Sequence, residues 1–268
     1  MKKKNTFFII IVVLIIAIAV GAWWWHNHPK PSDDSLANVV KRGVLIVGSD
    51  IPFGVMEFFG KDNEPEGIDV DIAREIATHL GVRLEFNDYD WDQLFSKVKT
   101  GEIDLAISSI TITSERQKEM FFSKPYFNGG QVLVVRSDNN EIKGVNNLVG
   151  KKIAAQQDTT GYDEAKKCTQ ENLISTYLNF DGSGGTTNII DDLRDAKVEV
   201  IIVDYIQALD MIKNYPGLKI VGVPFTKEDY GITTAIGNNS LIQEVDSILQ
   251  NLEKSGMLEQ IKTRWSSF

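Results

Sequence analysis

Between two short apolar runs, Val44-Leu45-Ile46-Val47 and the segment 83–86, large aliphatic residues recur at every fourth position: Ile68, Ile72, Ile76 and Leu80. That spacing puts all of them on one face of a helix, which Gly81 ends before a strand begins at Arg83. Trp91, Leu94, Phe95 and Val98 give a second stripe, closed by Gly101 and followed by the strand Leu105-Ala106-Ile107. Strand, helix, strand, helix, strand implies a mostly parallel sheet with helices on its faces. A second such series starts at Val132-Leu133-Val134-Val135. It continues through Ile153-Ala154-Ala155, a helix after Thr160, another around 189–193, the strand Val200-Ile201-Ile202-Val203, and a strand from Leu218 to Val221. The chain closes with Leu241, Val245, Ile248 and Leu252 on one helix, a break at Gly256, and Leu258, Ile261 and Trp265 on another. No sequence repeat accompanies the rhythm. The expected fold is α/β with two parallel-type lobes, in which ligands collect at the carboxyl ends of the strands.

The first residues stand apart from that body. Lys2, Lys3 and Lys4 precede an uncharged run from Phe7 to Trp25. This is the order of parts in a secretory signal, and the run is also long enough to span a membrane, with Trp23, Trp24 and Trp25 suited to the far interface. Residues 1–25 are therefore read as a signal peptide or a retained anchor. Both place the remainder outside the cytoplasm, in the periplasm or on the outer face of the cytoplasmic membrane. No cysteine lies near the run, which excludes the usual bacterial lipid-modified N-terminus. Residues 26–35, with Pro29 and Pro31, read as an exposed linker. His26 and His28 have no third ligand nearby, so no metal site is expected. Cys168 is the only cysteine, and no intramolecular disulfide can form.

The 268 residues carry a net charge of −9, which argues against nucleic acid as a partner, because phosphate binding needs a basic face. The densest polar constellation is Ser108-Ser109-Ile110-Thr111-Ile112-Thr113-Ser114-Glu115-Arg116, just past the third strand. Arginine offers a planar fork that matches both oxygens of a carboxylate, and Thr113 or Ser114 can cap the short helix carrying it. On residue chemistry alone, a carboxylate site and a capped helix with a surface arginine both stand open. The stretch Asp181-Gly182-Ser183-Gly184-Gly185 lacks the lysine and spacing of a phosphate loop. His79 sits on a polar helix position, and no Ser-His-Asp arrangement or histidine-rich metal cluster emerges.

The run ISSITITSERQKEM (107–120) resembles the carboxylate-binding segment of polar amino acid-binding proteins of ABC importers. GSDIPFGVMEF, EGIDVDIAREIA, TGEIDLAISS, the QQDTTG turn and the IIVD strand occur in that family's order and spacing, across residues 39–268. The resemblance implies a two-lobed periplasmic-binding-protein-like (type II) fold. It makes Arg116 the partner of a ligand's α-carboxylate, assisted by Ser109 and Thr111 and, across the cleft, by Thr159 and Thr160, with Ser108 among the ligand contacts. Free amides at a helix N-terminus attract an anion, which suits Thr159 and Thr160. Asp204 corresponds to the carboxylate that binds the α-ammonium. Asp50, Phe53 and Trp91 correspond to a polar side-chain reader and flat aromatic walls, an arrangement suited to the cation and stem of arginine or lysine. Glutamine and histidine are the alternatives. Gln156 is expected among the contacts and stands where glutamine-specific relatives carry lysine. Asp158 stands where many members have glycine.

The resemblance further implies hinged capture of a free L-amino acid and presentation to ABC-transporter membrane subunits. The first lobe is expected over 36–130 and 225–268 and the second over 131–224, joined by two hinge strands near 130–132 and 224–231. A monomer without cofactor or catalysis is expected. A cyclohexadienyl dehydratase-like enzyme, acting on prephenate or arogenate, and a ligand-sensing module are the competing readings.

Overall fold

β1 (Val44–Ser49) is the strand around which the first sheet is built. In a computed structural model, residues 33–177 and 188–265 are described, with helical positions Ala17, Ile18, Val20 and Trp23. The remainder of the N-terminal run, most of the 26–35 linker and the glycine-rich 181–185 stretch lie outside the described residues. Among the described residues, no helix is long and apolar enough to cross a membrane.

A short helix, α1 (Ser35–Arg42), leads into β1. The hairpin β2 (Phe58–Phe59) and β3 (Pro65–Glu66), helix α2 (Ile68–Leu80), β4 (Arg83–Asp88), α3 (Trp91–Thr100), β5 (Leu105–Ala106) and β6 (Met120–Phe122) follow. Then β7 (Phe127–Gly129) leads to β8 (Gln131–Arg136), β9 (Ile153–Gln156), α4 (Thr160–Cys168), β10 (Ile174–Tyr177), α5 (Ile189–Arg194), β11 (Val200–Asp204), α6 (Tyr205–Asn214) and β12 (Leu218–Val221). The chain ends with β13 (Glu228–Tyr230), β14 (Thr233–Ala235), α7 (Asn239–Ser255) and α8 (Met257–Trp265), and Gly256 in left-handed conformation (φ 76°) makes the break between the last two.

Two five-stranded sheets result, ordered β4-β1-β5-β14-β6 and β10-β9-β11-β8-β12. In the first only β14 runs against its neighbours, and in the second only β8 does. These are the strands entered directly from β13 and β7, which pair antiparallel with each other. A chain arriving from the far sheet enters at the carboxyl ends of the parallel strands, so its first strand must run backwards. The expected mostly parallel sheets are therefore each interrupted by one reversed strand.

Strand side chains alternate between faces, and each sheet separates two apolar layers accordingly. In the second sheet, Val132, Val134, Ala154, Ile201 and Val203 pack on one side, and Leu133, Val135, Ile153, Ala155, Val200 and Ile202 on the other. In the first, Leu45, Val47, Leu105 and Ile107 meet the buried stripe of α2 and helices α7 and α8, while Ala106 meets Trp91, Leu94 and Val98 of α3. Runs buried on both faces are what a sheet covered by helices requires. The final helix is pinned by Asp71 of α2, whose Oδ2 accepts from Trp265 Nε1 at 2.9 Å and Arg264 Nη1 at 2.8 Å.

Candidate functional site

At the carboxyl ends of the parallel strands, one narrow cleft is lined by Asp50, Phe53, Trp91, Ser108, Ser109, Thr111, Arg116, Thr159, Thr160 and Asp204. Asp50 follows β1, Trp91 opens α3, and Ser108 to Arg116 follow β5. Thr159 and Thr160 open α4, and Asp204 ends β11. Residues expected from both sheets are thus brought together. Gln156 is not among the lining residues. It ends β9 in a buried position, and its carbonyl accepts the Thr159 hydroxyl at 2.7 Å. The left-handed turn at Asp158 (φ 61°) carries the chain past it, so the two threonines reach the cleft and Gln156 stays behind.

Arg116 sits on a single turn of 3₁₀ helix that starts after Glu115 without a side-chain cap, although the Arg116 amide does donate to Thr113 Oγ1 at 3.1 Å. Its guanidinium lies 5.3 Å from the ring centres of both Trp91 and Phe95, a cation over aromatic faces. Nη1 donates to the Thr111 carbonyl at 2.9 Å and Nη2 to the Asp158 carbonyl at 3.0 Å. Guanidinium offers five N–H donors, so others remain for a carboxylate. Burial lowers its pKa from the ordinary arginine value, opposed by the charges of Glu228, Asp204, Asp163 and Asp158. The Asp158 carbonyl also accepts from Trp91 Nε1 at 3.3 Å. One carbonyl of the second-sheet side therefore receives donors from two first-sheet residues.

Thr159 caps α4 by accepting from the Tyr162 amide at 3.2 Å. Asp204 occupies the corresponding place before α6, yet its side chain makes no cap bond there. It accepts instead from Gln131 Nε2 at 2.9 Å and from the Tyr230 hydroxyl. Burial first, then the nearby charge of Glu228, pushes its pKa up to about 7. Buried carboxylates favour the charged form only beside a cation or donors, and an incoming ammonium is such a partner.

Gln131, Glu228 and Tyr230 were not reached from the sequence. Glu228 Oε2 accepts from Thr111 Oγ1 at 2.7 Å, Thr160 Oγ1 at 2.8 Å and Gln131 Nε2 at 3.4 Å, while Oε1 accepts from Thr226 at 2.9 Å. Each threonine hydroxyl has one hydrogen, and here both are spent on Glu228. The groups of Thr111 and Thr160 left to meet an anion are backbone amides. A polar residue opening an otherwise apolar strand was the available signal for Gln131. Glu228 and Tyr230 lie in a crossing segment whose side chains carried no pattern.

The fold is a two-lobed α/β architecture with a narrow cleft lined by residues of both sheets. Residues 45–268 match the family described as bacterial extracellular solute-binding proteins, family 3. The L-cystine-binding protein TcyJ of Escherichia coli (strain K12) is 30% identical over 237 residues, 87% of either chain. A crystal structure of a P235GK mutant of ArgBP from T. maritima superposes with a TM-score of 0.79 at 33% identity, covering 87% of this chain and 100% of that one. The ancestral amino acid-binding protein AncCDT-1, a precursor of cyclohexadienyl dehydratase, gives 0.75 at 29% identity over 86% of this chain and 99% of its own. The chain belongs to the family 3 solute-binding proteins and is an amino acid-binding component of the ABC-transporter type, not an enzyme.

Proposed function

We propose that the protein captures a basic L-amino acid, arginine before lysine, by closing the two sheets' lobes over it. Arg116 with the amides near Thr111 and Thr160 reads the α-carboxylate, Asp204 reads the α-ammonium, and Asp50 meets the side-chain cation between Phe53 and Trp91. The observation that carries this reading is the convergence of these charges and aromatic faces on one cleft. An acid at the Asp50 position favours a cationic side chain over a second carboxylate. ArgBP is named for arginine and TcyJ for L-cystine; cystine would bring a second α-ammonium and a second α-carboxylate together toward Asp50, where arginine brings a cation alone.

The cleft has a volume of about 30 Å³ for water-sized spheres, room for roughly two or three waters at about 10–15 Å³ each on that measure. An amino acid therefore enters only with the lobes parted, and residues 36–130 with 225–268 swing against 131–224 about β7 and β13. The closed surface is what transporter membrane subunits distinguish, on the outer side of the membrane reached through the N-terminal signal or anchor. The protein acts as a monomer.

Titration calorimetry tests this on the chain from residue 33 onward, unfolded and refolded to remove carried ligand. Tight one-to-one arginine binding is expected, lost in Arg116→Ala and weakened in Asp50→Ala by at least about tenfold, the scale of one lost charged hydrogen bond. Binding of cystine or glutamine with arginine excluded would overturn the role of Asp50. No binding across the common amino acids, with turnover of prephenate, would overturn the carrier reading.

A further inference from the structure

Beneath the first-sheet wall of the cleft lie two carboxylates that, among the described residues, have no cation beside them. Glu57 and Asp69 are each 0% exposed. The titratable groups facing them are each other, Asp50, Tyr126 and Tyr230, and none of these is basic. Glu57 Oε1 accepts the Ser108 hydroxyl at 3.0 Å, and that oxygen accepts the Asp50 amide at 3.0 Å. Asp69 Oδ2, in the first turn of α2, accepts the Ser109 amide at 2.7 Å and reaches the Ser109 hydroxyl at 3.4 Å. The two acids thus hold consecutive cleft-lining residues, and Ser109 is kept in the left-handed region at φ 49°, which a serine adopts only under constraint.

Three buried atoms here have no ordinary hydrogen-bond partner: Glu57 Oε2, Asp69 Oδ1 and the Tyr126 hydroxyl. Two ionised carboxylates offer acceptors alone, so facing oxygens cannot satisfy each other without a proton. A single proton on Glu57 makes it a donor to Asp69, and the Tyr126 hydroxyl supplies a second donor. We propose that Glu57 is held as a neutral acid donating to the Asp69 carboxylate, and that this shared proton locks the Ser108–Ser109 corner of the ligand cleft. Glu57 and Asp69 are positioning residues; neither lines the cleft.

Burial, then the charge of Asp69, holds the Glu57 carboxyl well above the ordinary range. Burial lifts Asp69 to about 6, against the lowering effect of the Ser109 amide and of the nearby Tyr126 and Glu57 side chains. A carboxyl raised in the folded state contributes stability that is complete below its unfolded pKa and is lost as pH rises through the folded one. Loss of the Glu57 proton leaves two buried anions in contact, so the corner loosens on the alkaline side.

The inference rests on the amino acid-binding reading for its ligand arm only. Glu57→Gln keeps an N–H donor toward Asp69 and removes the titration. Arginine affinity of the variant should match the unaltered protein near neutrality. Above the Glu57 pKa the unaltered protein alone should lose up to about tenfold per pH unit, the limit for one proton. Both share titration of arginine's own α-ammonium, so the difference between profiles isolates Glu57. The melting temperature should likewise fall with alkaline pH in the unaltered protein and less in the variant, whether or not arginine binds. Superimposable profiles overturn the proposal. Should the variant fail to fold, infrared spectra of the unaltered protein decide. A protonated-carboxyl band persisting at pH 8, above the ionisation of Asp204, supports the proposal, and its absence overturns it.

Discussion

Asp204 stands where a helix cap would stand, and it does not cap. Its oxygens are engaged by Gln131 and Tyr230 in the cleft, so its charge is not committed to the helix that follows. Because its folded pKa is raised to about 7, the folded protein retains a proton that the unfolded chain gives up. Its contribution to stability is complete below the unfolded value near 4 and is lost as pH rises through about 7. An ammonium ligand reverses the sign by pairing with the ionised form. Ligand-induced stabilisation should therefore grow from pH 5 to pH 8, and binding near pH 6 should release a proton. Melting curves with and without saturating arginine, beside calorimetry in buffers of different ionisation heat, measure both effects. Asp204→Asn should flatten the pH slope of the ligand-free protein and bind at least tenfold more weakly, about the value of one charged hydrogen bond. Arg116 and Asp204 were legible because Asp204 ends a strand and Arg116 lies in a recognisable polar segment that follows one. Glu57, Asp69, Gln131 and Glu228 were not, because their meaning lies in which distant donors they face. Sequence spacing holds no record of a contact such as Glu228 to Thr111.

At the scale of elements, the long strands and amphipathic helices could be read from periodicity, including the break at Gly256. The short strands could not. β6, β7, β13 and β14 have three residues each, too few for alternation to declare itself, and their existence depends on the strands that they meet. The reversal of β8 was hidden for a related reason, since an apolar run reads the same in either direction. The pair β7–β13 also depends on one close approach: a Cβ on Gly129 would stand 2.2 Å from the Tyr230 hydroxyl. Tyr230 is fully buried and donates to Asp204. Gly129→Ala should therefore destabilise by about 1–3 kcal/mol through overpacking and weaken ligand binding by moving the donor away from Asp204. Tyr230→Phe should leave the packing intact and cost a similar amount, about 1–3 kcal/mol for a buried acceptor losing its donor. Chemical denaturation of both variants checks the pair. A Gly129→Ala protein of unchanged stability would show that β7 has room to shift.

For the molecule as a whole, closure should be visible through a single side chain. From residue 33 onward the chain has two tryptophans, Trp91 and Trp265. Trp265 is buried in the first lobe's core and bonded to Asp71, so parting of the lobes leaves its surroundings unchanged. Trp91 is only 8% exposed, and its indole N–H donates across the cleft to the Asp158 carbonyl. Opening would break that bond, together with the one from Arg116 to the same carbonyl, and would wet one face of the ring. In a Trp265→Phe protein, the remaining emission should be accessible to acrylamide without ligand and shielded once arginine is added, with a shift to shorter wavelength. The change should track the binding isotherm, because a ligand shifts the population of lobes only as far as it binds the closed form better. Arg116→Ala should remove both the binding and the shielding. Shielding that is complete before any ligand is added would mean that the closed arrangement is already dominant in solution, and that capture then requires a rarely populated open state, slowing association without changing the contacts described.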